Sequence, residues 1–188
     1  MDLAIESLKE SNEFLKILSE NLNSAVFIVD NQAKVQHFNH TTLDVFFQSP
    51  ENMLHQYCGN AIGCIHPWEE KTDCGKTSYC HKCHLRKGII NAVTQEEAVV
   101  KEVLEREFVF NGKKVKKYFY FSVKHAFLNG KVMALIIIDD LTELEEKKRF
   151  AEEKNLAMQQ ELLLASQIQK NLMPHDVPSF LGLQIATL

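Results

Sequence analysis

The stretch from Cys58 to Cys83, CGNAIGCIHPWEEKTDCGKTSYCHKC, holds all five cysteines of the chain, and His66, His81 and His84 sit within or just beside it. Four of the thiols are spaced Cys64-x9-Cys74-x5-Cys80-x2-Cys83, with Cys58 further upstream. A Cys-x-x-Cys pair turns two sulfurs toward one ion, and two more cysteines on an adjoining loop can complete a four-thiolate site. Gly63 and Gly75 flank Cys64 and Cys74, where a backbone wrapping closely around a centre needs positive φ. Helical character begins at about Tyr79, so Cys80 and Cys83 are expected at a helix N-terminus, whose partial positive charge favours thiolate. Cys64, Cys74, Cys80 and Cys83 are therefore the expected ligands. Cys58 is a spare thiol, and His66, His81 and His84 are substitutes should one cysteine not ligate.

Three plainer readings compete. Disulfides fit poorly with an odd cysteine count and an N-terminus without secretory character. Inert core thiols fit poorly with a segment that reads as a polar loop. A structural zinc that pins the loop fits well and stays open.

These residues need a scaffold. With 45% hydrophobic and 24% charged residues in 188, the chain is expected to be soluble, with one globular domain and helical extensions. Its net charge of −4 argues against nucleic acid as a partner, and Lys113–Lys117 (KKVKK) reads as the solvent-facing start of a strand. The apolar run Val132–Ile138 is far below the ~20 residues of a membrane span. No membrane association and a cytoplasmic location are expected.

Residues 2–22 carry Leu8, Leu15 and Leu22 at heptad-like steps around Phe14 and Leu18, which predicts an N-terminal amphipathic helix over 1–21. Ser24–Asp30 and Lys34–Asn39 then form a hairpin about Asn31-Gln32, and two short helices (41–48 and 51–57) lead into the cysteine loop. His84–Val93 is helical. Ala98–Phe110, Lys114–Leu128 and Lys131–Asp139 read as strands joined at Asn111-Gly112 and Asn129-Gly130, the strongest short hairpin signal.

Two strands, a helical belt and a three-stranded meander, followed by Asp140-Leu141-Thr142, resemble a PAS domain over residues 22–142, in which such a motif hands over to a signalling helix. Gly63-Cys64, Cys74-Gly75, Cys80, Cys83 and Leu85-Arg86 further resemble a cysteine-bearing subgroup of bacterial PAS sensors, with the metal loop at 58–86. The resemblance implies an α+β fold: a five-stranded antiparallel sheet with a helical belt, flanked by the N-terminal amphipathic helix and a long C-terminal coiled-coil helix.

From Leu141 to Met173 there is neither proline nor glycine, and Leu144, Ala151, Met158, Ala165 and Leu172 recur every seven residues beside Leu162 and Ile168. A parallel coiled-coil homodimer through helix 143–174, supported by the N-terminal helix, would cover this seam, with Lys147, Lys148, Lys154 and Asn155 loosening its first half. Ala165, Ile168, Gln169, Leu172 and Pro174 resemble the Ala-x-x-Ile-Gln-x-x-Leu-x-Pro linker of SpoIIE/RsbU-like (PPM-type) serine/threonine phosphatases, and 175–188 resembles the start of their catalytic domain. That implies a regulatory part without catalytic residues of its own, the catalytic domain being absent, and a phosphoserine protein as the phosphatase's substrate.

In a sensor a redox-inert zinc offers no signal, and only one Cys-x-x-Cys pair is present, so an iron–sulfur cluster responsive to redox state or oxygen is favoured over zinc. A dimerisation module with structural zinc and a small-ligand sensor are the alternatives; haem would leave the cysteines unexplained. Glu69-Glu70 and Asp139-Asp140 lack the partners acid–base catalysis needs. Trp68 reads as loop packing, and Tyr118–Phe121 as a strand covered on both faces.

Overall fold

The computed structural model describes residues 13–94 and 99–172. The expected N-terminal helix is seen as α1 (13–21); its earlier part, and the phosphatase-like segment from 173 onward, lie outside the described residues. The chain divides between Glu143 and Leu144.

The first unit runs β1 (Ala25–Val29), β2 (Val35–Phe38), α2 (His40–Phe46), α3 (Pro50–Met53), α4 (Cys58–Ala61), α5 (Ile65–Glu70), a 3-10 turn (Cys80–Lys82), α6 (His84–Thr94), β3 (Val99–Phe110), β4 (Lys113–Leu128) and β5 (Lys131–Asp140). The five strands form one antiparallel sheet in the order β2-β1-β5-β4-β3. Both Asn-Gly joins are tight turns with positive φ at each residue, the mirror-image geometry that matches strand twist.

Strand alternation sets the inner face. Phe27 and Val29, Phe108 and Phe110, Phe119 and Phe121, and Ile136 and Ile138 are all buried. Phe46 at the end of α2 meets Phe27 and Phe119 edge-on, with ring centroids 6.3 and 5.4 Å away, and Phe119 meets Phe108 at 5.0 Å. Such edge-to-face pairs add roughly 0.5–1.5 kcal/mol each beyond burial. Only one face of the aromatic run is covered in this way: Phe119 and Phe121 point in, whereas Tyr120 is 37% exposed, so the expectation of a strand covered on both faces is corrected. Trp68, expected to pack in a loop, lies exposed on α5 with the Lys114 ammonium 5.6 Å from its ring centre.

The cysteine segment also departs from expectation. It is not a polar loop: α4 and α5 run through it, and Cys58, Cys64 and Cys83 are buried in the same core cluster as Phe108 and Ile89. Ala61, Ile62 and Ile65 supply apolar positions whose helical spacing is masked by neighbouring Gly, His and Pro.

At the end of β5, Asp140 Oδ1 accepts from the Thr142 backbone N–H (2.9 Å) and hydroxyl (2.5 Å), while Lys117 Nζ donates to Oδ2 (2.8 Å). The Thr142 hydroxyl oxygen accepts in turn from Tyr118 N–H (3.1 Å), so β4, β5 and the first turn of α7 (Thr142–Leu172) share one network. Burial opposes the Asp140 charge, but Lys117 and Thr142 outweigh it and hold the carboxyl below the ordinary aspartate value. The second unit is described here only as helix: along α7, Leu144, Met158, Leu162 and Ile168 are each more than half exposed.

Asp140→Asn and Thr142→Ala are each expected to cost about 1 kcal/mol of unfolding free energy, the scale of a partly exposed charge-assisted hydrogen bond. Because the Asp140 pKa is depressed on folding, its contribution is complete above the ordinary aspartate value and fades as pH falls below it. Urea titrations of wild type and Asp140→Asn should therefore converge in acid.

Candidate thiol-rich site

All five cysteines line one cavity of about 20 Å³, walled by apolar groups including Ile62, Leu85 and Ile89 and lined also by Arg86 and Arg106. Each sulfur is placed by a different local device. Cys64 forms a β-bridge to Phe108, and the adjoining Gly63 C=O accepts from Val109 N–H at 2.7 Å, which clamps the α4–α5 junction to β3. At Gly63 φ is +72°, and a Cβ there would fall 2.7 Å from the Val109 oxygen, so glycine is the residue this approach permits.

Cys74 is held by its backbone N–H, which donates to Asn60 Oδ1 at 2.7 Å, and its sulfur lies over Gly59, where an added Cβ would fall 2.6 Å from Sγ. Cys80 Sγ accepts from Gly75 N–H (3.0 Å) and lies 2.9 Å from the Thr77 hydroxyl. Cys83 ends the 3-10 turn and opens α6, its C=O accepting from Lys87 N–H at 3.0 Å. The expected helix N-terminus is thus found for Cys83, with Cys80 in the turn ahead of it. Cys58, set aside as a spare thiol, is buried against the same cavity.

Arg106 is the group that sequence reading missed. Its Nη1 lies 3.3 Å from Cys64 Sγ and 3.7 Å from Cys83 Sγ, so those two sulfurs share one guanidinium. The signal was in the alternation of β3: Leu104, Arg106, Phe108 and Phe110 share the inner face, and a charge there breaks an apolar row. Arg106 also stacks on Tyr79 at 4.7 Å, and Tyr79 stacks on His66 at 4.1 Å. From α6, Arg86 Nη1 reaches Cys74 Sγ at 3.8 Å.

Burial pushes the Cys58 thiol well up, with Cys74, Cys83 and Cys64 adding to it; it also raises Cys64, against the opposing pull of Arg106, and pushes Cys74 up to about 11. Cys80 goes the other way: burial raises it, but the Thr77 and Gly75 donors prevail and hold it below the ordinary thiol value. Burial, then Arg106, lowers the His66 pKa. His66 lines the cavity; His84 is turned to Glu102 (3.2 Å) outside it. Glu70 caps Ser78 and Glu69 pairs with Lys114, so neither carboxylate joins the thiols. Among the described residues no three His, Cys, Asp or Glu side chains converge tightly enough to define an ion position.

No family model matches the chain, and no curated protein does. Solved structures do. An RNA-binding light-oxygen-voltage receptor aligns over 80% of this chain and 38% of its own, at 14% identity and a TM-score of 0.50. The chain has the PAS fold. PAS domains from Colwellia psychrerythraea (16% identity, 72% of this chain and 98% of that one, TM-score 0.47) and from an HTR-like protein of Haloarcula marismortui (15%, 74% and 99%, TM-score 0.47) also align. In the PAS fold of this chain, the thiol cavity lies among α4, α5, α6 and the inner face of β3.

In metal-free, reduced protein, a small alkylating reagent near neutral pH is expected to reach Cys80 first and Cys58 last, because Cys80 combines partial exposure with donors to its thiolate. Time-resolved mass mapping reads the order; early labelling of Cys58 would contradict this packing.

Proposed function

We propose that this chain is a sensory PAS module whose cysteines hold a metal centre, and that the state of that centre regulates a C-terminal serine/threonine phosphatase. The observation that carries the reading is the gathering of five sulfurs and two guanidinium groups about one apolar cavity. The donor chemistry fits a thiolate centre: Cys64, Cys74, Cys80 and Cys83 would hold it, and backbone N–H and arginine donors to the sulfurs are what such a centre needs around it. An iron–sulfur cluster would supply redox or oxygen sensitivity. A second reading, structural zinc in a dimerisation module, draws support from the donor set itself, since four cysteine ligands are common in structural zinc sites.

The output would pass through Asp140 and Thr142, which bond to both β4 and the start of α7. The exposed heptad positions Leu144, Met158, Leu162 and Ile168 favour a parallel homodimer along α7. The phosphatase it would govern acts on a phosphoserine protein, in keeping with the linker resemblance of Ala165 to Pro174. Among the described residues no helix is long and apolar enough to cross a membrane, and a cytoplasmic location accords with reduced thiols.

Anaerobic purification with elemental analysis and visible spectroscopy tests the centre. Iron with sulfide and a broad visible band is expected; one zinc and a colourless protein would replace the redox reading with the structural one, and no metal would end both. Ser substitution at Cys64, Cys74, Cys80 or Cys83 should abolish binding, whereas Cys58→Ser should retain it. For the output, Lys148→Leu with Asn155→Leu in the phosphatase-linked protein should strengthen the seam and uncouple activity from the centre; unchanged regulation would rule out the coiled-coil switch.

A further inference from the structure

Resting on the metal-centre reading, we infer that Arg86 and Arg106 are its charge-compensating pair, each a positioning residue that holds ligand sulfurs and offsets their charge. Four thiolates around a dication, whether zinc or the core of an oxidised four-iron cluster, leave a dianion. The cavity wall is apolar, and a dianion there is costly unless matched. Two guanidinium groups touch the sulfurs, one at each end: Arg106 on Cys64 and Cys83, Arg86 on Cys74.

Both cations are reserved for this site. Among the described residues no Asp or Glu pairs with either guanidinium. Each is also fixed in place. Arg86 lies across Gly75, where φ is +103° and an added Cβ would meet its guanidinium at 2.5–2.9 Å. Arg106 is held between the sulfurs and the face of Tyr79. At Arg106 arginine suits the task better than lysine, because a planar guanidinium sets one nitrogen between two sulfurs while its face stacks on a ring.

The arrangement also selects a charge state. With the dianion the two guanidinium groups make the site neutral; an added electron leaves one negative charge more than they offset. Removing either arginine should therefore weaken the centre and make its reduction harder.

The test compares wild type with Arg86→Met, Arg106→Met, Arg86→Lys and Arg106→Lys. Each is loaded with zinc alone and, separately, reconstituted anaerobically with iron and sulfide. Metal retention is read against a chelator series, and the iron form by its reduction midpoint. The Met variants are expected to lose about 10–100-fold in retention and to shift the midpoint to more negative potential, while the Lys variants recover much of both. Far-UV circular dichroism and a cooperative urea transition establish folding. Should Arg106→Met fail to fold, the partly exposed Arg86 pair carries the test by itself. Met variants that hold metal as tightly as wild type, or Lys variants no better than Met, overturn the charge-compensation assignment and leave the metal centre standing. A wild type that takes no metal overturns the centre, and the assignment with it.

Discussion

A guanidinium on the inner face of a sheet must find polar partners, because a half-buried positive charge without them is costly. Arg106 finds sulfur. It occupies the β3 row of Leu104, Phe108 and Phe110, and its Nη1 lies within 3.7 Å of two thiols contributed by segments far apart in sequence. Much of the surrounding architecture follows from that contact. The α4–α5 junction must close on β3 to bring Cys64 in, which the Gly63–Val109 hydrogen bond achieves, and the turn before α6 must end where Cys83 can share the same cation. Tyr79 then covers the outer side of the guanidinium and is itself covered by His66. Structural thiols of an ordinary core would need none of this; they pack as small hydrophobes and ask for no cation.

The same strand joins the site to the rest of the sheet. β3 pairs with β4 along almost its whole length, Arg106 lies opposite Lys117, and Lys117 is the ammonium that binds Asp140. Directly opposite residues on neighbouring strands share a face, so the sheet aligns the two cations side by side, Arg106 turned to the thiols and Lys117 to Asp140. Asp140 and Thr142 join that alignment to the first turn of α7. The Lys117–Asp140–Thr142 contacts at this exit are charge-assisted bonds, stronger than neutral ones.

The strands, the two Asn-Gly turns and the Asp140-Leu141-Thr142 exit were legible because their signals are short-range: alternation, turn chemistry and a capping side chain. The apolar alternation of β3 is a signal of the same kind, and the place of Arg106 could have been read from it. The helices α4 and α5 were not, since each is four to six residues long and carries Gly or Pro, so tertiary packing rather than local propensity forms them. With them went the burial of Cys58, Cys64 and Cys83. The spacing of the four cysteines marked which sulfurs could meet, but the inclusion of Cys58 in the cavity depends on Cys58 N–H bonding to Ala33 C=O at 2.7 Å, a contact between segments that no local pattern announces.

The anchors of the sulfurs are unequal, and that inequality bears on what a bound centre would do. Cys64 is tied to a sheet strand and Cys83 to the start of an eleven-residue helix, whereas Cys74 and Cys80 sit on a segment held by Asn60, Thr77 and the backbone of Gly75. Between Glu70 and Cys80 that segment has no helix or strand of its own. A centre bridging all four thiols would therefore tie ligands carried on a strand and a helix start to ligands carried on a turn segment, itself held by Glu70 on Ser78 and by the buried Thr77. Arg86 lies over Gly75 and reaches Cys74, so one guanidinium packs on the turn segment's thiol, while Arg106 packs on Cys64 and Cys83 beside β3 and the start of α6.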